Sequence, residues 1–155
     1  VCCYTLGDCQ CMVVRADENQ PSSQTVAWYS EVNFHTNGAP YQLAGEGWTS
    51  DAVEDGEIGE FSVAAGDTVL CFSDGFANNF QLDEIGRAVS ACASMSAEAM
   101  ATKFVTEARG RGIVDDDVTV VALRLGEGKW VGGDMAPTTS ADGGFDPVVA
   151  FADAK

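Results

Sequence analysis

The order in which periodic segments follow one another constrains this chain most. "DTVLCFS" (67–73) is an apolar run of strand length, two helical patterns come after it, and "DDDVTVVALRL" (115–125) returns to a strand through Val118, Val120, Ala122 and Leu123. In the first helical segment, "LDEIGRAVSACA", Leu82, Ile85, Ala88, Val89 and Cys92 fall at helical spacing. The second, "SAEAMATKFVTEARG", opens on Ser96 with Glu98 in its first turn, and sets Met100, Phe104, Val105 and Ala108 on one face. It is expected to stop at Gly110. Upstream, "CCYTL" and "CMVVR" flank Gly7-Asp8 and read as a hairpin. "TVAWYSEV" is a third strand with Val26, Trp28 and Ser30 on one face, and "EIGEFSV" is a further strand, separated from "DTVLCFS" by a Gly66-Asp67 turn. Strands, then two helices, then a returning strand is an α+β pattern. The expectation is a β layer from residues 1–15, 25–30, 57–72 and 117–125, with helices near 81–92 and 96–109 on its outer face. The other face then needs a second layer, which the sequence does not obviously supply.

Between these segments, "ADENQPSSQ" reads as a polar loop and residues 33–55 as a long loop rich in Gly, Pro and polar residues. Residues 1–125 form one folded portion. Residues 126–155 are a Gly-rich acidic tail, which composition reads as disordered unless a partner holds it through Trp130 and the apolar patch Val148–Phe151. Trp28 and Trp48 read as core or interface. The start "VCCYTL", without Met and already strand-like, reads as the cut end of a longer product.

Charge narrows the partners. Twenty-four acidic against eight basic residues leave a net charge of −16, which repels nucleic acid and anionic membranes. No run approaches the roughly 20 apolar residues of a membrane span. The six cysteines contain no C-x2-C pair and the sole histidine is His35, so zinc and a disulfide scaffold both give way to small buried thiols in a reducing compartment.

The chemistry-bearing feature is an aspartate at three strand ends. Asp74-Gly75 directly follows Val69–Phe72, Asp116 (between Asp115 and Asp117) precedes the last strand, and Asp8 lies in the first turn. Acids held near a packed sheet repel one another and cost desolvation. They are either solvated turns or, if the ends meet, an oxygen-only ligand set suited to Mg2+ or Mn2+. A glycine beside a ligand lets the backbone approach an ion closely.

"GDTVLCFSDGFANNFQLDEI", followed after the second helix by "DDDVTVVALRL", resembles the C-terminal half of the metal-dependent protein phosphatase 2C family. "LGDCQCMVV" is similar to that family's Gly-Asp-Ser hairpin, and "NFHTNGAPYQLA" to a loop of its organellar, homolog-7-like branch. The resemblance spans about residues 1–125 and implies the C-terminal portion of an α-β-β-α sandwich. It implies two Mg or Mn ions, with Asp74 and Asp116 as ligands and Asp8 as ligand to a weaker additional ion. Asp117 and Gly75 would stand behind the ligands, and Asn78 occupies a position where the family carries an acid. His35, in the loop motif, would touch a substrate phosphate or make a structural hydrogen bond. In the family, ions about 3.5–4 Å apart activate a water that attacks phosphoserine or phosphothreonine.

The family's N-terminal Asp-Gly motif and phosphate-binding Arg have no counterpart here, and Cys9 stands in place of the usual Ser. The resemblance therefore implies part of a Ser/Thr phosphatase, inactive by itself, acting on a phosphoprotein only when completed. The competing reading is a non-catalytic accessory subunit of a larger organellar complex, mitochondrial or plastid, and a third is a regulatory pseudophosphatase. In each, a protein partner is expected to cover the exposed sheet face and the tail.

Overall fold

The computed structural model describes residues 1–17, 20–45, 49–113 and 116–126, with backbone alone at 16, 17 and 20–23. The expectations for Asp115, Trp48, Trp130, Val148–Phe151 and the tail from 127 onward lie outside these residues. Six strands and three helices are described in chain order: β1 (Cys2–Thr5), β2 (Gln10–Asp17), β3 (Gln20–Tyr29), β4 (Glu57–Glu60), β5 (Thr68–Phe72), α1 (Asp74–Ala77), α2 (Leu82–Ala91), α3 (Ala97–Arg111) and β6 (Val120–Arg124).

The strands form two sheets instead of the single expected layer. β3-β2-β5-β6 is a four-stranded antiparallel sheet, and β1-β4 is a separate antiparallel pair. The expected hairpin between β1 and β2 therefore does not form. Gly7, with φ +80°, turns the chain, and its carbonyl accepts from the Asn33 N–H at 2.8 Å. A Cβ at Gly7 would run into the Tyr41 carbonyl, so the turn packs on the 33–41 loop and sends β1 to the other sheet. The Gly66-Asp67 turn likewise separates β4 and β5 without pairing them. Its N–H at Gly66 donates to Leu125 across the end of β6 at 2.7 Å.

One face of the large sheet carries Met12, Val14, Leu70, Phe72, Val120 and Ala122 against Ile85 and Val89 of α2 and Met100, Phe104 and Ala108 of α3. Both helices are amphipathic for this reason, and each buried large side chain contributes about 1.5–3 kcal/mol. The opposite face buries Cys11, Val13 and Val69, with Cys3, Trp28, Phe61 and Leu123 packed on them. There Phe61, just beyond β4, stacks on Trp28 with ring centroids 4.4 Å apart, and Gly59 leaves room for the indole. The second layer is thus partly supplied by β1, β4 and the residues that follow.

Three boundaries differ from expectation for identifiable reasons. The "ADENQPSSQ" loop is largely strand, because β2 runs to Asp17 and β3 starts at Gln20. Val26 and Trp28 do not share a face: the register steps from Val13↔Trp28 to Val14↔Val26. The extra residue of this bulge, Ala27, returns Val26 to the helix side. The α3 helix passes through Gly110 and ends at Gly112, whose φ of +58° makes it the left-handed cap. Its start is as expected, with the Ser96 hydroxyl accepting from the Ala99 N–H at 3.2 Å. No helix among the described residues is long and apolar enough to cross a membrane.

The thiols are less buried than expected. Cys11 and Cys92 are buried, Cys3 is half-buried, and Cys2, Cys9 and Cys71 are exposed; all six are free.

Candidate metal centre

The β2–β5 register sets the geometry of the site. Gln10 pairs with Phe72, Cys11 with Cys71 and Met12 with Leu70. Two residues past the last pair on either strand stand Asp8 and Asp74, so both acids leave the same end of the sheet. Asp74 opens α1, a single turn anchored from below by Phe76, which is fully buried. The Phe76 ring lies 4.6 Å from Phe80, 5.0 Å from Phe72 and 5.7 Å from Phe104 between centroids.

The residues entering β6 are laced to this turn. Ser73 Oγ donates to the Asp117 carbonyl and accepts from the Thr119 N–H, both at 3.0 Å, while the Ser73 N–H donates to Thr119 O at 3.1 Å. A Cβ on Gly75 would strike the Asp117 carbonyl oxygen, and it would stand 3.4 Å from Asp116 Cβ. Only a glycine permits this approach, and the approach is what brings Asp116 beside Asp74. Asn79, buried, completes the frame: its Nδ2 donates to the Gly75 carbonyl at 2.7 Å and its Oδ1 accepts from the Ile113 N–H at 3.0 Å.

Electrostatics report the same proximity. Burial first, then the charges of Asp8 and Asp116, hold the Asp74 carboxyl above the ordinary carboxylate range. The Gly75 N–H, 2.8 Å from Oδ1, only partly opposes this. The Cys9 thiol, although exposed, is likewise pushed up, first by partial desolvation and then by Asp8 and Asp74. Among the described residues no ion pair engages Asp74, Asp8 or Asp116. Three hard oxygen donors with no cation of their own, beside a glycine that admits close approach, fit Mg2+ or Mn2+. Such ions are commonly held by one or two carboxylates and keep several waters. Among the described residues, however, no three His, Cys, Asp or Glu side chains converge tightly enough to hold an ion.

The remaining sequence candidates are placed as follows. Asn78 is exposed at the end of α1, its N–H donating to the Asp74 carbonyl at 2.7 Å. Asp117 donates its N–H to Asp116 Oδ1 at 2.7 Å, which orients that carboxylate. His35 pairs with Asp51, Nε2 to Oδ1 at 3.0 Å, and its ring packs on Tyr41 with centroids 4.0 Å apart. Asp51 is held below the ordinary range, chiefly by the Gln42 N–H and then, against a smaller opposing effect of burial, by His35. His35 is thus engaged structurally within its own loop. Ser73 and Asn79 were not candidates from sequence. Ser73 is legible only as the neighbour of Asp74, while Asn79 offers only a polar residue at the close of an apolar stretch.

Residues 2–126 match the family model described as SpoIIE, Stage II sporulation protein E. The chain belongs to the SpoIIE family. That family is 2C-phosphatase-like, and this SpoIIE-family chain has the matching fold, helices on one face of an antiparallel sheet with part of a second sheet on the other. Among solved structures it is similar to "X-ray structure of the photosystem II phosphatase PBCP", with a TM-score of 0.58 and 25% identity over 70% of this chain. The match covers 39% of that chain, so this SpoIIE-family chain spans well under half the length of that relative. No curated protein matches.

Proposed function

We propose that this SpoIIE-family chain supplies one side of a Mg2+- or Mn2+-dependent phosphatase centre acting on phosphoserine or phosphothreonine in a protein. Asp74 and Asp116 would hold the ion, with Asp8 contributing to a weaker neighbouring position. When bound, such an ion lowers the pKa of a water and steadies charge on the phosphoryl oxygens. The chain's own residues do the rest of the work visible here. Ser73, Gly75 and Asn79 fix the spacing of the acids, and the Asp117 N–H orients Asp116. The observation that carries this reading is the approach of the 116–117 backbone onto Gly75, which sets two like-charged groups together with no ion-pair partner among the described residues.

The centre is incomplete within the described residues, so hydrolysis requires further ligands and a phosphate-binding cation. Calorimetric titration of the chain with Mn2+ tests the metal part. Weak but measurable binding is expected, lost in Asp74→Ala and in Asp116→Ala. Binding retained in both variants would end this reading. Activity on a phosphoserine peptide with Mn2+ is expected to be absent for this chain alone and present when the segment carrying the missing acid and Arg is supplied.

A second reading, a non-catalytic accessory subunit, is favoured by the apolar side chains left exposed beside the thin second sheet. Ile58 is 67% exposed, Val53 58% and Tyr4 43%. A protein partner covering that face and the tail belongs to either reading. An organellar, reducing setting is part of the same proposal, supported by the resemblance to the homolog-7-like branch. The description of PBCP as a photosystem II phosphatase favours the plastid.

A further inference from the structure

We propose that Cys71 and Cys11 form a reversible thiol–disulfide site on the face of the four-stranded sheet opposite the helices. Cys71 would be the thiol that reacts first with a low-molecular-weight disulfide of the glutathione class, and Cys11 the thiol that resolves it. This site is separate from the acids and independent of the proposed phosphatase centre.

Geometry carries the assignment. The two residues are direct cross-strand partners in the β2–β5 ladder, and their sulfurs are 3.5 Å apart. Opposed residues in an antiparallel pair have Cα atoms about 4.5–5.5 Å apart, inside the range of about 4.4–6.8 Å that a disulfide spans. Side-chain rotation alone therefore brings the sulfurs to bonding distance, with no strand displacement. The members also differ in access: Cys71 is exposed to an incoming disulfide, whereas Cys11 is only 2% exposed. Cys3, half-buried, packs against the same cluster as a third thiol.

The electrostatics assign the roles in the same order. Hydrogen bonding with Cys11 lowers the Cys71 pKa against the opposing effect of partial desolvation, which favours the thiolate on the exposed member of the pair. That hydrogen bond, followed by burial, holds the Cys11 proton on. The chemistry balances in two exchanges. The Cys71 thiolate attacks one sulfur of oxidised glutathione, the S–S bond of the oxidant breaks, and one glutathione thiolate leaves. Capping Cys71 removes the charge that kept Cys11 protonated. Cys11 then gives its proton to solvent, attacks Cys71 Sγ and expels the second glutathione thiolate. The protein gains one S–S bond and loses two hydrogens, while one oxidised glutathione becomes two thiols.

The test is peptide mass spectrometry of the full chain after incubation with oxidised glutathione and acid quenching, with alkylation rates at pH 7 read first. Cys71 is expected to alkylate faster than the exposed Cys2, because the hydrogen bond with Cys11 favours its thiolate. The oxidised wild type is expected to show the Cys11–Cys71 crosslink. Cys11→Ser should arrest at a glutathione adduct on Cys71, and Cys71→Ser should leave Cys11 unmodified. A Cys3–Cys11 crosslink, a stable adduct on Cys71 in the wild type, or a Cys71 rate no higher than that of Cys2 would each overturn the site. The wild-type measurements stand even if a variant fails to fold.

Discussion

Strand β5 has an aspartate at each end, and the two are treated in opposite ways. Asp67, just before the strand, is buried and receives Arg15 in a two-pronged pair, Nε to Oδ1 at 3.0 Å and an Nη to Oδ2 at 2.7 Å, together with the Ala64 N–H at 2.8 Å. Burial opposes its ionisation, but these partners outweigh burial and leave its carboxyl below the ordinary range. Asp74, just after the strand, meets Asp8 and Asp116 instead, and its carboxyl is held above that range. One end has its cation built in. The other gathers acids with no ion pair among the described residues, and this contrast is what the proposed ligand role of Asp74 rests on.

The largest effect should come from breaking the satisfied end. Asp67→Ala removes the acceptor of several charge-assisted hydrogen bonds and is expected to lower stability by about 2–3 kcal/mol, measured by urea unfolding. Arg15 is partly exposed and regains water, which keeps the cost from rising further. At the other end, Gly75→Ala forces a methyl against the Asp117 carbonyl and should cost about 2 kcal/mol. Unlike Asp67→Ala, it should also abolish Mn2+ binding in the calorimeter, because it moves Asp116 away from Asp74. Equal metal responses from the two variants would erase the proposed distinction.

The smallest effect is the most diagnostic, because its sign differs. Neutralising Asp74 with Asp74→Asn should raise the stability of metal-free protein at pH 7 by roughly 0.5 kcal/mol, in the range of a surface substitution. A carboxyl whose folded pKa is raised stabilises most below its unfolded value, here 3.8, and loses that contribution as pH rises through the folded value. The advantage of the variant should therefore shrink on acidification and reverse when saturating Mn2+ is added. For Asp67 the dependence runs the other way: its contribution is present above 3.8 and is lost as pH falls through its lowered folded value. Thermal unfolding from pH 3 to pH 7, with and without Mn2+, separates the two. A destabilised metal-free Asp74→Asn at pH 7 would contradict the comparison.

How much of this was legible in the sequence depended on the reach of each interaction. The helices were legible because their stripes are local: Met100, Phe104, Val105 and Ala108 all lie in the core as their spacing predicts. The strand-end positions of Asp74 and Asp116 were legible because apolar strands point at them. The split of β1 from β2 was not, since a Gly-Asp turn looks the same whether it closes a hairpin or turns a corner, and the deciding partners are Asn33 and Tyr41. The bulge at Ala27 hid the face change of Trp28 for a similar reason. The residues that hold the site together were hidden by distance along the chain: Ser73 reaches Asp117 and Asn79 reaches Ile113, 44 and 34 positions away.

The β2–β5 ladder also fixes where the chain tolerates changes in length. Side chains alternate with a period of two, so one residue inserted or deleted among Cys11–Val14 or Val69–Phe72 exchanges the two faces of that strand. Met12, Val14 and Leu70 would turn away from the helices, and Asp8 would fall out of step with Asp74 in the same event. Such an indel cannot damage the acids while sparing the core, so an altered centre of this kind announces itself as a protein that does not accumulate. Length changes in the stretch 42–45, exposed except at Ala44 and pairing with neither strand, leave that ladder intact. Natural variants of the proposed centre with an intact fold should therefore arise by substitution at 8, 74 and 116, and not by slippage.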